Sequence, residues 1–172
     1  EPEEPASGEV EIEGAGWGID GVENGVWSFL LLDRDGAMAP ELADVRVRQA
    51  LNYAFDRQTM LDALQDGNGT ATTQMFPATS EAFDSELDER YPYDPEKAKE
   101  LLAEAGYPDG FTLSVPTSSK SGTSIYAILE QQLTDIGINV EFTDAGANFT
   151  ATILTPKFPV AFMPLEQNSD WQ

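Results

Sequence analysis

Residues Tyr91–Leu113 read YPYDPEKAKELLAEAGYPDGFTL. Asp94 stands where a helix N-cap belongs, Pro95 follows at the first helical position, and Glu96 falls in the first turn. A missing N–H is tolerated there and negative charge is favoured. Ala98, Leu101, Leu102 and Ala105 recur at i, i+3, i+4 and i+7, which makes one apolar stripe. Gly106 supplies the left-handed residue after the helix, and Pro108 keeps the helix from resuming. Phe111, Leu113 and Val115 then alternate, so a half-buried strand leaves the turn at once. The stretch is a helix–turn–strand unit.

Working outward, Val26–Asp33 (VWSFLLLD) is the most apolar run and predicts a buried strand. Asp33-Arg34-Asp35-Gly36 resembles half of a calcium loop, but the later ligands and the closing Glu are missing, so it reads as a turn. Asp44 is expected to cap a helix whose stripe is Val47, Ala50, Leu51, Ala54 and Phe55, with Arg46, Gln49 and Tyr53 pointing elsewhere. Asp56 is expected to cap a second, short helix carrying Met60, Leu61 and Leu64. With nine Lys and Arg against 31 Asp and Glu, Arg48 and Arg57 are read as structural partners of nearby carboxylates. Residues 66–83 are turn-rich and exceed the usual connection length; the segment is either functional or a surface connection.

After the first unit, Ser118–Gly122 (SSKSG) is a polar link. Ile125, Ile128, Leu129, Leu133 and Ile136 predict an amphipathic helix ended by Gly137, and Ile138, Val140 and Phe142 the next strand. Together they predict a right-handed parallel crossover. Asn148–Leu154 reads as a short helix stopped by Pro156. Phe158–Leu165 reads as a strand lying beside the preceding one. At the other end, Glu1–Gly8 reads as a disordered tail or linker, and Glu9–Glu13 as a short edge strand. Gly14–Gly25 reads as a loop. Its glycines lack the flanking strand and helix of a dinucleotide fingerprint.

The 172 residues suit one domain, and the net charge is −22 with neither His nor Cys. That charge excludes partners that are themselves polyanionic, nucleic acid and anionic membrane alike. No run approaches the ~18 apolar residues of a membrane span, so direct membrane insertion is not expected. Without His or Cys, the usual bases and thiolates of nucleophilic catalysis are missing. The carboxylates are spread over helix faces rather than set at metal-ligand spacing. Neither an enzyme nor a bound cofactor or metal is expected.

The literal string at Tyr91–Leu113 resembles the Y-D-P-x-x-A-x-x-L-L-x-x-A-G-[YF]-x-x-G-[FY] signature of family 5 extracellular solute-binding proteins, the receptors of peptide and nickel ABC importers. Val47–Arg57 (VRQALNYAFDR) is similar to the V-R-x-A-[LI]-x-x-A-[IVF]-D-R signature of the same family. It lies on the expected side of the first motif. Gly137-Ile138-Asn139-Val140 matches the family's G-I-x-V strand. The resemblance implies an α/β fold: one lobe of a type II periplasmic-binding-protein-like structure, a mixed sheet flanked by helices. Residues 9–172 would form that single lobe, with the other lobe and the chain's return lying outside this sequence. A chain opening at EPEEP without Met then reads as a cut or processed chain, its export signal upstream.

The resemblance also implies the function. The chain would be the ligand-binding lobe of an importer's extracellular or periplasmic receptor, anchored as a lipoprotein in the full-length protein. Its partners would be a peptide or other small-molecule ligand and the ABC permease subunits. An uncovered cleft face would favour a dimer of the isolated chain. The alternative is the same lobe serving as the ligand-sensing domain of a regulator. In the family, an F-D-[VM]-x-x-x-G-W-x-x-D-like run meets the ligand. Aligned on Phe158-Pro159-Val160, Leu165 falls at the Trp and Asn168 at the Asp. A neutral Asn cannot offer an ammonium the charge-assisted bond of an Asp. A loop shifted by a few residues would bring Asp170 and Trp171 into those roles instead. The expected ligand-side residues are Phe162, Leu165, Gln167, Asn168 and Trp171, with Gln74 and Phe76 from the turn-rich segment. Ligand identity stays open among peptides, nickel chelates, opines and oligosaccharides.

Overall fold

The structure is a computed structural model that describes residues 25–74, 81, 83–118, 123–153, 155 and 157–166. In chain order, β1 (Gly25–Leu31) leads through a 3-10 turn (Pro40–Ala43) to α1 (Val45–Ala54) and α2 (Arg57–Gln65). Then come α3 (Ser85–Asp88), α4 (Pro95–Glu104), β2 (Phe111–Thr117) and α5 (Thr123–Asp135). β3 (Ile138–Asp144), a 3-10 turn (Gly146–Asn148), α6 (Phe149–Ile153) and β4 (Val160–Glu166) follow. The expected tail, the Glu9–Glu13 strand and the glycine-rich loop up to residue 24 lie outside the described residues.

The helices start where their caps place them. Asp44, Asp56 and Asp94 accept from the N–H groups of Arg46 (2.8 Å), Thr59 (3.0 Å) and Lys97 (2.9 Å). Each bond satisfies a donor that the first helical turn leaves without a partner. α4 ends as its Gly106 requires. At φ +98° that residue turns the chain, Tyr107 N–H donates to Leu102 O (2.8 Å), and Gly106 N–H donates to Ala103 O (3.0 Å). This is the Schellman pattern, which closes the last carbonyls of a helix.

The two signature stretches meet in space. α1 and α4 pack against each other, burying Val47, Ala50, Leu51 and Ala54 of one and Ala98, Leu101 and Leu102 of the other. Asp94 N–H donates to Tyr53 O (2.9 Å), the Tyr53 and Tyr91 rings meet edge-on at 5.3 Å, and Arg46 Nη1 donates to Glu104 O (2.6 Å). At roughly 1.5–3 kcal/mol per fully buried large aliphatic side chain, the apolar contact outweighs these polar links.

Two expectations are corrected here. Among the described residues, Arg48 and Arg57 hydrogen-bond no carboxylate, although Asp44 feels the Arg48 charge and Asp88 interacts with the Arg57 charge. Arg48 Nη1 donates to Leu42 O (2.8 Å) and Ala43 O (2.9 Å). Arg57 donates to Asn52 O (3.0 Å), Phe55 O (3.3 Å) and Tyr91 O (3.3 Å). The reason is that helix ends carry unsatisfied carbonyls, and a planar guanidinium can reach several at once. The arginine in this stretch that does pair with a carboxylate is Arg46, whose Nη2 lies 2.6 Å from Asp44 Oδ2.

The second correction concerns the last strand. β2 and β3 pair in parallel from Phe111↔Ile138 to Thr117↔Asp144, with α5 as the connection, as the periodicity requires. β4 lies alongside β2, and its ladder partner is β1, antiparallel from Leu31↔Val160 to Gly25↔Glu166. It does not lie beside β3. Burial explains the choice: Val160, Ala161 and Phe162 are buried at consecutive positions, so β4 needs cover on both faces and belongs inside the layer. β3 exposes Asn139, Glu141, Thr143 and Asp144, the polar character of an edge strand. The core between helices and strands is closed by Leu113, Val115, Ile138 and Val160 from the strands and Leu129 and Leu133 from α5, none of which is exposed.

Candidate functional site

The first candidate region is the end of the β1–β4 ladder. The pleat and the register put Gly25 opposite Glu166 and Val26 opposite Leu165. The start of β1 and the end of β4 therefore lie side by side. Phe162, three residues earlier on β4, pairs with Phe29, is 4% exposed and belongs to the core cluster. Phe29 in turn packs its ring 5.0 Å from that of Phe55. Phe162 thus anchors the strand that leads to Leu165.

The second region is the turn-rich segment, whose residues Thr72, Thr73 and Gln74 are tied to α3 and its cap Asp84. Asp88 Oδ1 accepts from Thr72 Oγ1 (2.6 Å), Thr73 N–H (2.6 Å) and Thr73 Oγ1 (3.2 Å). Gln74 uses both ends of its amide on one residue: Nε2 donates to Asp84 O (2.5 Å) and Oε1 accepts from Asp84 N–H (3.1 Å). This two-point bond mimics a backbone pair between strands. Burial works to raise the Asp88 carboxyl, but the Thr72 and Thr73 bonds and the Arg57 charge hold it below its ordinary value. Burial lowers the Arg57 guanidinium, and Asp88 opposes that shift.

A third carboxylate organises the turn after β1. Asp33 is 6% exposed and accepts from the N–H groups of Ala37 (2.9 Å), Met38 (2.5 Å) and Ala39 (2.8 Å). The Ala39 bond is the main cause that lowers its pKa, ahead of the opposing effect of burial. All of its capacity faces the backbone, which is why this stretch is a turn. The sequence marks Asp33 as the first residue of a turn, and it marks neither Asp84 nor Asp88 as an organiser of the loop. Asp33 and Asp84 precede a turn and a short helix, a pattern common enough to carry little information alone, and Asp88 ends its helix with no local signal.

Of the expected ligand-side residues, Phe162 is in the core, Leu165 is on the paired end of β4, and Gln74 is on the α3 clamp. Phe162 and Leu165 share β4, and Gln74 lies on a separate segment. Phe76, Gln167, Asn168, Asp170 and Trp171 lie outside the described residues. Among the described residues, no group of three or more His, Cys, Asp or Glu side chains could hold a metal ion. No helix there is long and apolar enough to cross a membrane.

Comparison with known proteins places this geometry in a family. The profile described as "Bacterial extracellular solute-binding proteins, family 5 Middle" matches residues 8–170. Heme-binding protein A of Haemophilus influenzae is 53% identical over 68 residues, 40% of this chain and 12% of that protein. The glutathione-binding protein GsiB of Salmonella choleraesuis is 41% identical over 105 residues, 59% of this chain and 20% of that protein. Among solved structures, a dipeptide-binding protein from a Pseudoalteromonas species in complex with Met-Leu superposes with a TM-score of 0.68 at 28% identity. That superposition covers 83% of this chain and 28% of the other. The fold is that of one lobe of a type II periplasmic binding protein. The chain spans less than a third of the length of each of these three proteins. A profile match over nearly the whole chain, with both signature stretches packed together at its centre, makes this chain a member of the bacterial extracellular solute-binding proteins, family 5.

Proposed function

We propose that this chain is a ligand-binding lobe of the substrate-binding component of an ABC importer for peptides or similar small solutes. It captures its ligand by closing against a second lobe. The observation that carries this reading is the Gly25↔Glu166 pairing. Two adjacent strand ends form a natural two-strand bridge to another body, and such bridges act as hinges because few residues need to change φ and ψ. The relatives named for heme, glutathione and dipeptide binding support a transport role for small solutes, and their extracellular family favours it over a regulator. The protein works outside the cytoplasmic membrane, lipid-anchored, with the permease subunits as its macromolecular partners. It is a carrier and performs no chemistry on its ligand.

On this reading the ligand is met by Leu165, Gln167, Asn168 and Trp171 beyond the bridge and by Phe76 beyond the clamp. Gln74 holds the clamp, and Phe162 fixes the strand. Because binding energy is divided between two lobes, this lobe alone binds its ligand weakly and leaves an apolar cleft face open to self-association. The test is a thermal-shift screen of the two-lobe protein against a dipeptide pool, glutathione and heme. A ligand at a hundred times its Kd adds about 2.7 kcal/mol and raises the midpoint visibly. A raised midpoint with peptides or glutathione supports the reading. A raised midpoint with heme alone replaces the ligand class, and no response to any of the three overturns the proposal as stated.

A further inference from the structure

Gln132 sits on the inward face of α5 and is 7% exposed. Its Nε2 donates to the carbonyl of Asp56 at 3.4 Å, and the same carbonyl accepts Met60 N–H at 3.1 Å in the first turn of α2. Its Oε1 is buried, and no donor among the described residues reaches it. Turning the amide around would set Oε1 against the Asp56 carbonyl, acceptor to acceptor, so the orientation is fixed by its one partner. α5 and α2 pack together at this point, and Phe55, Met60, Leu129 and Leu133 are all buried. A carboxamide oxygen left dry among such side chains is strongly unfavourable, and native proteins satisfy nearly all such atoms.

We propose that Gln132 Oε1 forms one wall of a buried binding site for a single water molecule between α5 and the Phe55–Asp56 turn. The water donates one hydrogen to Oε1 and the other to a carbonyl of that turn, the bridging role in which internal waters are found. A cation does not suit the position, because hard cations require a cage of several oxygens and the Asp56 carboxylate is committed to Thr59. The water completes the polar joint that fixes the β2–α5–β3 crossover to the junction of α1 and α2, where the V-R-Q-A-L-N-Y-A-F-D-R stretch ends.

Two measurements on the full chain decide it. A high-resolution crystal structure is expected to show a water about 2.8 Å from Gln132 Oε1. A clear amide with no such water, or with a protein donor in its place, overturns the proposal. Oxygen-17 magnetic relaxation dispersion counts long-lived internal waters in solution. Gln132→Leu is expected to show one fewer than the wild type, and equal counts overturn the proposal. The crystal measurement needs only the wild-type chain, so it stands even if the variant folds poorly.

Discussion

Gly110 and Gly137 meet backbone to backbone: a β-carbon built on Gly110 would lie 1.7 Å from the carbonyl oxygen of Gly137. Both residues have positive φ, +72° and +92°, and each opens a strand of the parallel pair β2–β3. The contact sets where the two strands begin and so fixes their register. Gly110→Ala is therefore expected to destabilise the chain by about 3 kcal/mol or more, since left-handed strain adds to overpacking against backbone that cannot step aside. Gly106→Ala is the control. Its β-carbon would meet nothing within 4 Å, so only the left-handed strain of roughly 1–2 kcal/mol remains. Urea denaturation of both variants measures the difference, and equal losses would show that the Gly110–Gly137 approach is unimportant.

Arg57 holds three backbone carbonyls from two stretches of chain, and its bond to Tyr91 O is one of the links between the signature motifs. A lysine carries one compact ammonium and cannot span them. Arg57→Lys is expected to lose nearly as much stability as Arg57→Ala, about 1–3 kcal/mol for a carbonyl left without its donor. Full stability in the lysine variant would mean that positive charge, rather than the fork, is what matters.

Asp44 gives a pH signature. The Arg46 side-chain bond, with help from the Arg46 N–H, lowers its pKa from the ordinary 3.8 to about 2. A carboxyl depressed in the folded state adds stability above its unfolded value and loses it as pH falls through the folded one. Asp44→Asn keeps a capping oxygen and drops the charge. The wild type is expected to be the more stable of the two at pH 5–7, with the gap closing between about pH 4 and pH 2. Denaturation midpoints for both proteins across that range check the prediction, and a gap that persists to pH 2 counts against the ion pair.

Leu129 and Leu133 on α5 are fully buried against the sheet, whereas Leu87 is 46% exposed. Leu129→Ala is expected to cost about 2–5 kcal/mol, the range for a buried leucine that leaves a cavity. Leu87→Ala should change stability by less than about 0.5 kcal/mol. Chemical denaturation of the pair separates core from surface.

With a net charge of −22 the folded chain repels itself, and the ion pairs seen, such as Lys97–Glu100 and Lys99–Glu96, are exposed and contribute little. Raising salt from about 10 mM to 0.5 M is expected to raise the thermal midpoint, because screening removes more repulsion than attraction. A midpoint that falls with sodium chloride would show that the attractive pairs dominate.

The sequence by itself determined what is local. Asp44, Asp56 and Asp94 mark helix starts, Gly106 and Gly137 mark helix ends, and the stripes of α1, α4 and α5 name their buried residues, because these choices are settled within a turn or two of chain. It also carried the family, through two literal motifs. The tertiary structure alone decided which strand neighbours which. β4 pairs with β1 across more than a hundred residues, a choice made by burial on both faces that a single strand's pattern cannot reveal. It decided too that Arg48 and Arg57 serve helix-end carbonyls, that Gln74 locks onto Asp84, and that Phe162 lies in the core. Each depends on groups brought together from distant stretches, and no spacing along the chain encodes their distance in space.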